Sequence, residues 1–281
     1  MSMSNAENSV KTFCGGDKIV RCAQRALRIA SAIAYTTLLL ACASVGSLPD
    51  AEPYEAPARA ISEHHTVALL GATGMMGEFL LREMLVRGYD VRALARSPAK
   101  LDEFSSRITI VQGDARDPAV IAELLRGSDV VISALGPVQA DGDANLFINT
   151  IVTGNVLHAM STNNISRYMI VSGAGVVMPG DERTLLGLWI RTLAQIGLRD
   201  ALEDKQAEYE LLEESSADWV LVRCPLIDPE QFRLTPMVSL QTPPAFRVRA
   251  GEVARFMIDE IDSPDYRRQG PFLGSDQRLQ R

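Results

Sequence analysis

The stretch LLGATGMMGEFL, residues 69–80, carries three glycines, Gly71, Gly74 and Gly77, at three-residue intervals. They fall where an apolar, strand-like run (TVALL, 66–70) gives way to a helix-like segment (75–87). A lone glycine triplet is compatible with a ligand-free turn. Between a strand and a helix it predicts a phosphate-cradling loop. In such a loop Gly71 turns the chain, Gly74 lets backbone approach a pyrophosphate, and Gly77 lets the helix pack close to the sheet. The N–H groups that open the helix then face the anion.

The segments on either side repeat the same alternation. Further strand-like runs occur at 90–95, 108–112, 129–135, 167–173 and 218–223, with helix-like segments at 98–104, 117–126, 144–163 and 200–215. The 117–126 segment opens DPAVIAELL, an Asp cap and a first-turn Pro ahead of apolar residues at helical spacing. Parallel neighbours need a crossover, so strands separated by helices predict a parallel sheet. The expected fold is α/β: a Rossmann-like, doubly wound parallel sheet with helices on both faces, over 66–281.

Composition agrees with a globular domain. Of 281 residues 47% are hydrophobic and 22% charged, and the net charge is −7. That balance argues against a nucleic-acid groove, which needs a basic face. The four cysteines, Cys14, Cys22, Cys42 and Cys224, lack metal spacing, as do His64, His65 and His158. No metal site is expected, and Cys224 reads as core rather than nucleophile.

Residues 1–41 read as a signal or membrane-anchor segment. Five basic residues lie in 1–28, and the uncharged IASAIAYTTLLLACASVGSL follows at 29–48. LLAC (39–42) is similar to a bacterial lipobox, which implies lipidation of Cys42 and a membrane-attached lipoprotein. An uncleaved anchor is a second reading, since about 20 apolar residues span a bilayer. A transit peptide or misassigned start, with a cytoplasmic or organelle domain, is a third. Residues 42–65, rich in Pro, Ala and Glu after 48, read as a tether.

The second strand, DVRALARSPAK, has Asp90 at its start, whereas an NAD site places Asp or Glu at the carboxyl end. That end carries Arg96 and Ser97, with Lys100 a turn later. A guanidinium there can bond a ribose 2′-phosphate bidentately. NADP(H) is therefore expected over NAD(H). Arg96 as a solvated strand-end charge is the alternative.

With these motifs in place, residues 66–274 resemble the atypical short-chain dehydrogenase/reductase superfamily. More narrowly, they are similar to its NmrA-like, NAD(P)H-binding branch, which includes flavin and biliverdin-IXβ reductases. The resemblance rests on GATGMMG (71–77), RALARSP (92–98), VQGDARDP (111–118), DVVISALGP (129–137), SRYMIVSGAGV (166–176), EDKQAEYELLEESSADWVLVRCPLI (203–227) and VRAGEVARFMIDEI (248–261). It implies that Gly71, Thr73, Gly74, Met75, Met76 and Gly77 hold the pyrophosphate and Arg96 the 2′-phosphate. Asp114 and Ala115 would lie beside the adenine. Ala134, Leu135 and Gly136 would line the nucleotide, and Pro225–Ile227 would border the nicotinamide.

Many members of the superfamily use Ser, Tyr and Lys, the last two in YxxxK. Ser172 and Lys205 match the serine and lysine positions, which implies catalytic roles for both. Ala201 stands where the tyrosine would be, and none of the four lysines has Tyr four residues before it. Ser172 as a strand-end hydrogen-bonding serine and Lys205 as a surface lysine are the alternatives. Hydride transfer to a small conjugated substrate, such as a flavin or quinone, does not need that tyrosine, because water can supply the proton. An NADPH-dependent reductase of such an acceptor is therefore expected. The alternative is a non-catalytic NADP(H)-binding sensor or interaction protein. The apolar segment 184–198 is expected to be a helix over the sheet, with a lid or subunit contact as alternatives.

Overall fold

The structure is a computed structural model; it describes residues 52–55, 65–136, 142, 146–182 and 199–276. The expected signal or anchor segment, Cys42 and the 184–198 segment lie outside these residues. No helix among the described residues is long and apolar enough to cross a membrane.

The strands are β1 (Glu52–Pro53), β2 (Thr66–Leu70), β3 (Asp90–Ala95), β4 (Thr109–Gln112), β5 (Val130–Ser133), β6 (Arg167–Gly173), β7 (Asp218–Cys224), β8 (Leu226–Asp228), β9 (Met237–Ser239), β10 (Arg247–Arg249) and β11 (Phe272–Gly274). The helices are α1 (Met75–Val86), α2 (Pro118–Leu125), α3 (Ile148–Asn163), α4 (Arg199–Glu214) and α5 (Ala250–Asp259), with a 3₁₀ turn at Pro98–Phe104. Nine strands form one sheet in the order β1-β9-β11-β7-β6-β5-β2-β3-β4. The seven from β11 to β4 are mutually parallel. This is the expected Rossmann-like, doubly wound α/β architecture.

Alternation along the strands builds the two faces. Val67 and Leu69 enter one core with residues of α1, the 3₁₀ turn and α5. Ala68 and Leu70 enter the other with residues of α2, α3 and α4. Because both faces are covered, the central strands are near-continuous apolar runs. The cap read from DPAVIAELL is present: Asp117 accepts from the Ala119 N–H at 2.8 Å, and Pro118 opens α2. Such a cap is worth about 1 kcal/mol.

β2 lies between β3 and β5, so successive connections leave β2 in opposite directions. The loop after β2 therefore opens at the switch point of the sheet, where open α/β folds bind ligands.

The far edge was not legible as strand. β11, β9 and β1 extend the sheet beyond β7, and β1 lies inside the expected tether. Tyr54 anchors it. Its ring packs edge-on to Phe256 at 4.8 Å, and its hydroxyl donates to Glu260 at 2.9 Å. Burial and the Glu260 carboxylate push the Tyr54 phenol well above its ordinary range.

Candidate functional site

The glycine loop is built by contact, not only by flexibility. Gly71 has φ +78°, and a Cβ there would lie 2.6 Å from the Ala134 carbonyl oxygen. A Cβ on Gly77 would lie 2.0 Å from the Gly71 carbonyl oxygen. Both positions exclude a side chain, so the loop backbone crosses directly over the end of β5. The Gly74 N–H closes the turn onto Gly71 O at 2.9 Å. Gly74 is also the N-cap of α1, with no side-chain cap bond. The orphan N–H groups of a first helical turn are normally satisfied by such a cap. Here Gly74 offers no cap, and an N-terminal helix end of that kind favours negative charge. Thr73 and Met75 are exposed beside it, and Met76 turns its side chain into the core.

Arg96 and Ser97 are exposed at the carboxyl end of β3. The Gly113 N–H bonds Ala95 O at 3.1 Å, which sets the turn after β4 next to them. That turn carries Asp114 and the buried Ala115. Asp114 accepts from Arg116 Nε at 2.9 Å and Nη2 at 2.5 Å. The hydrogen bonds from Arg116, with help from the Arg96 charge, lower the Asp114 carboxyl to about 2. Asn155 of α3 holds the same turn by donating to Arg116 O at 3.1 Å. A cleft of about 290 Å³ opens between the glycine loop and the 3₁₀ turn, with Thr73, Arg82, Lys100 and Phe104 in its walls.

At the end of β5, the Ala134 N–H bonds Leu70 O at 3.0 Å. Leu135 N–H donates to Ser133 Oγ at 3.4 Å, and Gly136 is exposed with nothing against its Cβ position. On the next strands, Ser172 is 4% exposed, yet its hydroxyl has no partner among the described residues. Buried hydroxyls normally find a partner. Lys205 is not a surface lysine. Its Nζ donates to Glu208 Oε2 at 2.9 Å and to Val171 O at 3.4 Å, beside the peptide that leads into Ser172. Ala201, one turn earlier, is exposed. Pro225–Ile227 follow β7, with Leu226 64% exposed.

The cradle that any Cβ would fill, the uncapped helix end and the arginine at the end of β3 fit a phosphate-bearing dinucleotide. The profile of the NAD(P)H-binding family matches residues 71–264, more than half of the chain.

The chain belongs to the NAD(P)H-binding family.

Curated relatives match at lower coverage. Cinnamoyl-CoA reductase 1 from Oryza sativa subsp. japonica is 29% identical over 132 residues, 43% of this chain and 38% of that protein. The match thus spans well under half of that relative's length. Among solved structures, ChuY, an anaerobilin reductase from Escherichia coli O157:H7, is similar with a TM-score of 0.63 at 20% identity, covering 75% of this chain and 98% of that one. A short-chain dehydrogenase/reductase from Veillonella parvula in complex with NADP gives 0.61 at 19% identity, covering 76% and 96%. At these identities the likeness establishes the fold of this NAD(P)H-binding chain.

Several residues that shape the site were not singled out from the sequence. Arg116 and Glu208 carried a readable signal, one as a near neighbour of Asp114 and the other at helical i,i+3 spacing from Lys205. Ser133, Thr153, Tyr168 and Asp204 gave none, because their partners are distant in sequence. Cys224 is core as expected, with burial pushing its thiol up to about 12. His158 is exposed, and no cluster of metal-ligating residues occurs among the described residues.

Proposed function

We propose that this chain binds NADPH in preference to NADH and reduces a small conjugated acceptor such as a flavin or quinone. The observation that carries the reading is Arg96 at the carboxyl end of β3, beside the uncapped α1 and with no carboxylate at that strand end. In this reading Gly71, Thr73, Gly74, Met75, Met76 and Gly77 hold the pyrophosphate, and Arg96 with Ser97 takes the 2′-phosphate. Asp114 and Ala115 flank the adenine, while Ala134, Leu135 and Gly136 line the nucleotide.

Bound NADPH supplies a hydride, two electrons and one proton, to the acceptor ring. The protein's own part is to orient and to exclude water. Lys205 is fixed against the end of β6 by Glu208 and Val171 O, and in this reading its charge serves the ribose. The buried Ser172 hydroxyl has no partner among the described residues, which leaves it available as a donor at the end of β6. Ala201 in place of tyrosine leaves no side-chain phenol at that position, so the second proton comes from water. An acceptor whose conjugated ring takes hydride directly suits this arrangement.

The test is NADPH oxidation by the purified full-length chain with a panel of flavins and quinones. Turnover with at least one acceptor is expected. Tight NADPH binding without turnover would instead favour the sensor reading, in which partners captured with and without NADP(H) should differ.

We further propose that residues 1–41 attach the domain to a membrane and that Cys42 carries the lipid. Metabolic labelling with a fatty acid should mark the wild type and miss Cys42→Ala; label on both would remove Cys42 as the site.

A further inference from the structure

α4 turns two buried carboxylates toward α3, Asp204 and Glu208, one helical turn apart. Asp204 caps α3. Glu208 has a different set of partners. It accepts from Lys205 Nζ at 2.9 Å and from Thr153 Oγ1 at 2.9 Å, with its side chain 2% exposed. Removing a carboxylate from water is costly unless it is paired and hydrogen-bonded, so this placement is built rather than incidental.

The hydrogen bonds continue beyond Thr153. Thr153 Oγ1 lies 3.2 Å from the Tyr168 hydroxyl, and the Ser133 hydroxyl bonds the same phenol. Ser133 Oγ in turn accepts from the Leu135 N–H. Proton counting gives the run a direction. The single hydroxyl proton of Thr153 goes to Glu208, so Tyr168 donates to Thr153 and Ser133 donates to Tyr168. Every donor from Leu135 to Lys205 points toward the Glu208 carboxylate. Burial keeps the Tyr168 phenol protonated far above neutral pH. Aligned donors in a dry interior strengthen one another.

The two ends of this run lie at the carboxyl ends of β5 and β6, the two walls that the NADPH reading gives the crevice. One end is the 134–136 turn, whose Ala134 carbonyl sits against the glycine loop. The other is Lys205, resting on Val171 O beside Ser172. We propose that Glu208 is a positioning residue that holds both walls in one register, through Lys205 on one side and Thr153, Tyr168 and Ser133 on the other. The proposal rests on reading the crevice as the NADPH site.

Two variants of the full-length chain separate its parts, each checked for folding by circular dichroism. Glu208→Gln removes the charge that gathers both sides. It should raise the NADPH dissociation constant about tenfold, the scale of one charge-assisted hydrogen bond. Lys205 should also acylate several-fold faster with an N-hydroxysuccinimide ester, read by peptide mass spectrometry. Tyr168→Phe cuts the run but keeps the Lys205–Glu208 pair. It should weaken NADPH binding while leaving Lys205 acylation at the wild-type rate. A purely structural role would not produce that split. Folded Glu208→Gln with wild-type affinity and wild-type acylation overturns the proposal. If Glu208→Gln does not fold, wild-type NADPH affinity in Tyr168→Phe overturns it. If the wild type binds no NADPH, the cofactor reading fails, and the acylation rates alone decide whether Glu208 holds Lys205.

Discussion

Lys205 Nζ lies 2.9 Å from Glu208 Oε2, one turn along the same helix. The lysine that matches the superfamily's YxxxK position is thus held by a buried carboxylate, and the position four residues before it is an exposed alanine. The pairing gives the lysine a fixed place without a tyrosine.

Glycine substitutions should sort by contact. Gly77→Ala would put a methyl 2.0 Å from the Gly71 carbonyl oxygen, and Gly71→Ala meets Ala134 and an unfavourable φ of +78°. Each should abolish measurable NADPH binding and cost about 1–3 kcal/mol of stability in urea unfolding. Gly136→Ala meets no atom within 4 Å and should unfold like the wild type. Equal behaviour of all three would contradict the contact argument.

Asp204 supplies the cap that α3 lacks in its own sequence. Its N-cap is Phe147, with φ 56° and no side-chain cap bond. Asp204 accepts from Asn149 N at 3.0 Å, Asn149 Nδ2 at 2.7 Å, Thr150 N at 2.9 Å and Thr150 Oγ1 at 2.7 Å. Asp204→Ala strands these donors and should cost about 2–4 kcal/mol, measured by urea denaturation. Asp204→Asn keeps an acceptor oxygen and should cost less. A loss within error of zero for Asp204→Ala would show that the cap is not needed.

Acid should weaken the turn after β4 in a defined window. The Asp114 carboxyl is lowered to about 2, chiefly by the Arg116 hydrogen bond. A lowered folded value means that the unfolded chain takes up the proton first. The pair's contribution is therefore complete above the usual carboxylate value near ~4 and fades as pH falls through about 2. Urea midpoints recorded from pH 5 down to pH 2 should fall less steeply for Asp114→Asn than for the wild type. Identical slopes would mean that this carboxylate does not respond to folding.

What the sequence revealed follows the range of the interactions involved. The alternation of strands and helices, the glycine cradle and the Asp117 cap depend on residues within a few positions of one another, and each is present in the fold. Ser172 and Lys205 are legible by their place in a motif, and Lys205 Nζ lies against the carbonyl oxygen of Val171, the residue before Ser172. The Ser133–Tyr168–Thr153–Glu208 run was not legible, because those side chains come from four elements, β5, β6, α3 and α4, that only the fold brings together. Arg223 is a similar case. Its buried guanidinium pairs with Asp181 at 2.7 Å and stacks over Phe272 at 3.6 Å, joining the loop after β6 to the last strand. Nothing in the local pattern of DWVLVR marks that arginine as interior. The edge strands β1, β9 and β11 were missed for a related reason: they have two or three residues each, too few for any period to show.

A 2′-phosphate held by Arg96 would make this crevice selective for NADPH. The most direct test is fluorescence titration of NADPH and NADH against the wild type and Arg96→Ala. The wild type should bind NADPH at least about tenfold more tightly than NADH, and Arg96→Ala should lose that preference by weakening NADPH alone. Equal affinity of the wild type for both nucleotides would rule out Arg96 as the selector.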